Sequence, residues 1–185
     1  MIKVTGFPIC GPKRIVPHRH SDERGFFAET FNEQQLAEAG IAESFVQDNY
    51  AFSKYAGTVR GLHFQSPPYA QSKILWVGQG RILDVAIDMR LGSPTFSKHV
   101  AVELSAENFA QLYIPAGFAH GYCTLVPNCG VHYKVSKPYM PQFEGGVLWN
   151  DPALQISWPE IAGSNVSQKD KKLPLLSDLA SPFNL

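Results

Sequence analysis

The stretch Arg81-Ile82-Leu83-Asp84-Val85-Ala86-Ile87-Asp88 sets the fold class. From Leu83 on its odd positions are apolar, while Asp84 and Asp88 occupy even ones. Successive side chains of a strand point to opposite faces, so a period of two marks a half-buried antiparallel strand. The period recurs downstream. In Lys98-His99-Val100-Ala101-Val102-Glu103-Leu104 the even positions are the apolar set, and in Val131-His132-Tyr133-Lys134-Val135-Ser136 the residues Val131, Tyr133 and Val135 share a face. Turn formers separate such runs, with 15 Gly and 14 Pro in 185 residues. Short strands at regular spacing, broken by turn residues, predict an all-β sandwich or barrel, and a jelly roll (a double-stranded β-helix) in particular. Its interior is wide enough for a small ligand, so polar side chains pointing into it are the candidate site. One or two short helices are expected. The clear one is capped by Asn32, runs through Glu33-Gln34-Gln35-Leu36-Ala37-Glu38-Ala39 and ends at Gly40. No internal repeat or linker divides the chain, which reads as one domain over 1–185.

Composition narrows the function. Sixteen Lys+Arg balance 16 Asp+Glu, so the formal net charge is zero. A nucleic-acid binder ordinarily carries a basic excess to neutralise phosphates, so no nucleic-acid partner is expected. With 17% charged and 44% hydrophobic residues the chain is not of disordered composition. No run approaches the ~20 apolar residues of a membrane span. The N-terminus lacks the apolar core of a signal peptide, so a cytoplasmic address without membrane contact is expected. Three cysteines, Cys10, Cys123 and Cys129, make an odd count without close pairing and read as reduced thiols. From about Gly163 the chain turns polar. By itself, Ser167-Gln168-Lys169-Asp170-Lys171-Lys172 reads as a solvated turn ahead of a packing segment, Leu173-Pro174-Leu175-Leu176.

Six histidines, at 18, 20, 63, 99, 120 and 132, make a metal site the first thing to test. Pro115-Ala116-Gly117-Phe118-Ala119-His120 resembles the P-x-G-x-x-H second motif of the cupin superfamily. The first motif of that superfamily needs a His-x-His and a later Glu. The matching place is Gly61-Leu62-His63-Phe64-Gln65, where Gln65 stands for the second imidazole and no acidic residue follows before Asp84. Such a metal needs three or four ligands, and His63 with His120 falls short, so no metal is expected. His18-Arg19-His20 places a cation between its imidazoles and reads as a solvated loop. A histidine without metal can act as a base near neutral pH. It then needs an orienting carboxylate, an acid partner and a cation to hold developing negative charge. Arg60 and Lys73 flank His63, and Tyr133 lies on an inward face with a phenol that needs a partner. The plainer readings are rim charges for Arg60 and Lys73 and a core phenol for Tyr133.

Longer motifs resemble one family. The runs Asp22-Glu23-Arg24-Gly25-Phe26-Phe27-Ala28-Glu29-Thr30-Phe31, Phe45-Val46-Gln47-Asp48-Asn49 and Arg60-Gly61-Leu62-His63-Phe64-Gln65 are similar to those of the dTDP-4-dehydrorhamnose 3,5-epimerase family. So are Asp84-Val85-Ala86-Ile87-Asp88-Met89-Arg90, Val102-Glu103-Leu104-Ser105-Ala106-Glu107-Asn108, Ile114-Pro115-Ala116-Gly117-Phe118-Ala119-His120-Gly121 and Trp149-Asn150-Asp151-Pro152-Ala153-Leu154. The match runs from about residue 20 to 176. The resemblance implies a cofactor-independent, metal-free cupin-fold homodimer that inverts C3 and C5 of a dTDP-linked 4-keto-6-deoxyhexose. It implies His63 as base, Asp170 as the group that orients it, Tyr133 as acid from the opposite face and Lys73 as the cation on the enolate oxygen. Arg24, Glu29, Gln47, Asn49, Arg60, His120, Glu144 and Lys169 match positions that hold the substrate, and Tyr139 an aromatic that stacks on the thymine. The family exchanges an N-terminal strand between subunits, so Arg24 and Glu29 would serve the partner's pocket.

Some positions depart from the family pattern. Val135-Ser136-Lys137-Pro138-Tyr139 stands where a Thr-Asp-Tyr-Tyr-like run is common, and Gly145-Gly146 follows Glu144 where Arg-Gly is usual. The competing readings are a single-centre 3- or 5-epimerase, a non-catalytic nucleotide-sugar-binding cupin and a metal-dependent oxygenase. Strict alternation puts Arg60 and His63 on opposite faces of one strand, although the resemblance needs both in the pocket. This predicts an irregularity near Gly61 or a guanidinium that reaches round the strand end.

Overall fold

A computed structural model describes residues 2–184. In chain order the strands are β1 (Ile2–Gly6), β2 (Lys13–Pro17), β3 (His20–Asp22), β4 (Gly25–Phe27), β5 (Gln47–Ser53), β6 (Thr58–Gln65), β7 (Lys73–Gln79), β8 (Arg81–Asp88), β9 (Arg90–Leu91), β10 (His99–Ser105), β11 (Gln111–Ile114), β12 (Phe118–Thr124), β13 (Cys129–Val135), β14 (Glu144–Gly146), β15 (Asn165–Val166) and β16 (Phe183–Asn184). One sheet runs β1-β2-β11-β7-β13-β5, and the other β10-β8-β12-β6-β14 with β15 alongside β6. Consecutive strands such as β7 and β8 fall in different sheets, so the chain crosses repeatedly between the two, as in a jelly roll. No helix is long and apolar enough to cross a membrane among the described residues.

The α-helix α1 (Glu33–Glu38) lies close to where the capping signals place it: Asn32 Oδ1 accepts from the Gln35 amide at 3.1 Å, and Gly40 follows with φ +76°. Its Leu36 joins Ile15, Ile74 and Tyr113 on the outer side of the first sheet. The remaining helical pieces are single 3₁₀ turns. All three thiols are free; Cys123 and Cys129 are buried and Cys10 is exposed.

The main core lies between the sheets. Leu75, Val77 and Val131 from the first meet Ile82, Ala86, Val100, Leu104 and Tyr122 from the second. The alternation of β10 holds as a half-buried strand, with Ala101 and Glu103 outward. That of β8 does not. Its even residues Ile82 and Ala86 enter the main core, but Val85 and Ile87 are buried too, in a second cluster on the other side of the sheet. There the C-terminal third of the chain covers the sheet with Val147, Leu154 and Phe183. The apolar odd face therefore lies on the outside of the sheet, where another segment closes over it, and the even face that carries Asp84 turns into the main core.

The irregularity in β6 is present. His63 pairs with His120 and Arg60 with Tyr122, so three steps along β6 oppose two along β12. This bulge resets the side-chain alternation between Arg60 and His63. It depends on two glycines in close approach. Gly61 has φ +121°, and a Cβ there would stand 2.6 Å from Gly121 Cα; a Cβ on Gly121 would stand 2.6 Å from the Arg60 carbonyl oxygen.

Candidate active site

Two adjoining hollows open between the sheets, of about 560 and 330 Å³. Both are lined by His63, Lys73 and Tyr133. His63 belongs to β6 in one sheet, and Tyr133 and Lys73 to β13 and β7 in the other. An imidazole and a phenol thus rise from opposite walls of one cavity, with an ammonium between the two hollows.

The bulge lets Arg60 line the larger hollow beside His63. The guanidinium is braced at the end of β5: Nε donates to Ser53 Oγ at 3.2 Å and Nη2 to the Phe52 carbonyl at 3.0 Å. His63 Nε2 lies 2.7 Å from Asp170 Oδ1. The other carboxylate oxygen accepts from the Gly61 amide at 3.3 Å, and Ser167 Oγ accepts from the Asp170 amide at 3.0 Å. Asp170 is therefore no solvated turn residue; it is buried beneath the imidazole. Burial pushes its carboxyl up, but the His63 hydrogen bond and charge, with the Gly61 and Ser167 contacts, outweigh that and hold it below the usual carboxylate range. With Nε2 turned to Asp170, Nδ1 remains for proton transfer.

Desolvation lowers Lys73 to about 8, against the pull of Asp84 and Glu144, which raise it. No carboxylate comes within 4.0 Å of its ammonium among the described residues, so its donors remain available to a ligand. Burial raises the Tyr133 phenol, Arg60 lowers it and Glu144 raises it, with a net rise that keeps the proton on. His120 Nε2 sits 2.9 and 3.1 Å from the two oxygens of Asp84. His63 and His120 thus each face their own carboxylate, and no group of three or more His, Cys, Asp or Glu side chains is placed to hold a metal ion among the described residues.

The smaller hollow gathers Gln47, Asn49, Tyr139 and Glu144. Gln47 donates to Asn49 Oδ1 at 2.8 Å and accepts from the Tyr139 amide at 3.1 Å. Glu144 Oε2 takes the Tyr139 hydroxyl at 2.7 Å and Lys169 Nζ at 2.5 Å, linking three segments across the rim. Gln65, at the position of a missing cupin ligand, holds the loop that carries Tyr139 through the Pro138 carbonyl and the Met140 amide. Arg24 and Glu29 stand apart from both hollows. Arg24 is exposed and pairs with Asp22, and Glu29 accepts from Asn32 and Gln35. His18 and His20 meet edge to face, their ring centroids 4.6 Å apart, and line neither hollow, with His20 in β3 rather than in a loop. Sequence reasoning passed over Asp84, Ser53 and Tyr122. The signal for Asp84 was an acid on the same face of β8 as Ile82 and Ala86.

The model of the dTDP-4-dehydrorhamnose 3,5-epimerase family matches residues 7–178. The chain is 45% identical over 175 residues to the dTDP-4-dehydrorhamnose 3,5-epimerase of Sinorhizobium fredii, covering 95% of this chain and 90% of the relative. It is similar in structure to the Bacillus anthracis dTDP-4-dehydrorhamnose 3,5-epimerase with TDP and PPi bound. That likeness has a TM-score of 0.92 and 48% identity, and covers 95% of this chain and all of that one (100%). A Legionella pneumophila dTDP-6-deoxy-D-glucose-3,5-epimerase in complex with dTDP-4-keto-L-rhamnose is also similar. Its TM-score is 0.91 at 41% identity, covering 97% of this chain and 95% of that one.

Proposed function

Since the chain belongs to the dTDP-4-dehydrorhamnose 3,5-epimerase family, we propose that it inverts C3 and C5 of a dTDP-linked 4-keto-6-deoxyhexose through an enolate, without a cofactor. The observation that carries this reading is the placement of His63 and Tyr133 on opposite walls of one cavity, with Lys73 between.

C3 and C5 both flank the C4 ketone, so one carbonyl acidifies both C–H bonds. His63 Nδ1 takes the proton, and the C–H electron pair moves into the ring as the C4 oxygen becomes an enolate. Asp170 holds the resulting imidazolium in place. The Lys73 ammonium lies where the enolate oxygen gathers charge, an electrostatic contribution that costs no reorganisation during the reaction. Tyr133 then gives its phenolic proton to the carbon from the opposite face as the ketone re-forms; solvent returns a proton to the phenolate, and the His63 imidazolium releases its own to solvent. Arg60 and His120 hold the sugar in the larger hollow. Gln47, Asn49, Glu144 and Lys169 hold the nucleotide, and Tyr139 stacks on its base. The active form in this reading is a cytoplasmic homodimer in which the N-terminal segment crosses to the second subunit. Arg24 and Glu29 lie outside their own chain's cavity, and Phe26, Phe27, Tyr50 and Phe52 are exposed apolar side chains suited to such an interface.

Turnover of dTDP-4-keto-6-deoxyglucose in deuterium oxide tests the reading. We expect deuterium at C3 and C5, and none at either carbon with His63→Ala. Exchange that survives in that variant overturns His63 as base. Label at one carbon only would replace the proposal with a single-centre epimerase, and tight dTDP binding without exchange with a nucleotide-sugar-binding protein.

A further inference from the structure

Asp84 is a buried acid behind the cavity wall, in contact with His120, to which the reaction above gives no task. It is fully buried on β8, on the same face as Ile82 and Ala86. A carboxylate in such a place is costly unless something charged or hydrogen-bonding compensates it, and an apolar side chain would be the more stable filler. The one hydrogen-bond donor that reaches it among the described residues is His120 Nε2, at 2.9 Å from one oxygen and 3.1 Å from the other. His120 in turn is paired directly opposite His63 across β6 and β12 and lines the same hollow. The site therefore holds two imidazoles side by side, each with its Nε2 on its own buried carboxylate.

We propose that Asp84 is a positioning residue of this reaction: by taking the Nε2 proton of His120 in a hydrogen bond, it fixes the orientation and tautomer of the second imidazole, so that Nδ1 is the atom presented to the sugar. It acts through His120 and touches no substrate atom. An acceptor behind the ring decides which nitrogen carries the proton, and a wrong tautomer leaves the shape of a site intact while removing its chemistry. The inference rests on the epimerase reading for its substrate, and on the structure alone for the pair.

The Asp84→Asn variant tests it, because the amide keeps the size and removes the fixed acceptor. With dTDP-4-keto-6-deoxyglucose we expect kcat to fall about ten- to a hundredfold while KM stays within about twofold. In a His120→Gln background the same substitution should cost less than about twofold, since its target is gone. Nitrogen-15 NMR of the wild-type protein should show His120 protonated at Nε2, and Asp84→Asn should lose that fixed state. Wild-type kcat in Asp84→Asn, or an undiminished loss in the His120→Gln background, overturns the proposal. So does a wild-type His120 whose Nε2 lacks the proton, a result that needs no variant to fold. If the wild-type protein exchanges no proton of the ketosugar, the epimerase reading fails instead, and the His120 spectrum still decides the role of Asp84.

Discussion

His63 and Tyr133 carry different halves of an inversion, and a single substitution separates them. Tyr133→Phe keeps the base and the enolate-stabilising cation but removes the proton donor on the far face. We expect it to lower net inversion by about a hundredfold or more while deuterium exchange with retained configuration persists. Loss of exchange and inversion together would mean that Tyr133 shapes the site rather than protonating the carbon. A second phenol behaves in the opposite sense. The Tyr122 hydroxyl is buried with no hydrogen-bond partner, and desolvation raises it to about 12 although Arg60 and Ser53 lie close enough to lower it. An unsatisfied buried hydroxyl costs roughly 1–3 kcal/mol, so Tyr122→Phe should stabilise the fold by about 1 kcal/mol in denaturant melts. A lower stability would show that Ser53 does satisfy the hydroxyl.

At the scale of the element, the bulge in β6 is what places Arg60 and His63 in one cavity. It requires Gly61 and Gly121 to pass with nothing between them. In Gly121→Ala the added methyl would meet the Arg60 carbonyl, which is backbone and cannot swing away. We expect a loss of about 2–3 kcal/mol by chemical denaturation, with activity falling further than stability because Arg60 and His63 are re-aimed. Wild-type stability and activity would mean that the crossing has slack. The conflict between regular alternation and a shared pocket pointed to this bulge from the sequence. What it could not show is the strand across the gap, because Gly61 and Gly121 are 60 positions apart in the chain.

Across the whole molecule, the ionisation of Lys73 couples catalysis to pH. Desolvation lowers it from 10.5 to about 8, with Asp84 and Glu144 opposing. The protonated form is the one that steadies an enolate, so turnover should fall as pH rises through about 8. Stability moves the other way. Between about 8 and 10.5 the unfolded chain holds this proton and the folded one has released it, so the contribution of Lys73 to folding stability grows with pH over that window. The measurement is kcat against pH beside denaturant melts at pH 7.5 and 9.5. A flat kcat across pH 8 would remove the charged ammonium from the mechanism.

Local periodicity in the chain decides which side chains share a face. Val131, Tyr133 and Val135 could therefore be assigned to one wall, and the Asn32 cap and Gly40 stop to one short helix, from the sequence by itself. The alternating strands in turn determined an all-β jelly roll. Periodicity says nothing about what covers the other face. Only the tertiary structure turned β8 into a strand buried on both sides, by laying Val147, Leu154 and Phe183 over it. Only closure of the barrel brought Asp170 beneath His63 from 107 residues away and turned Asp84 inward against His120. A carboxylate reads as a solvated charge until the chain folds round it, because its partners are set by the path of distant strands and not by its neighbours in sequence.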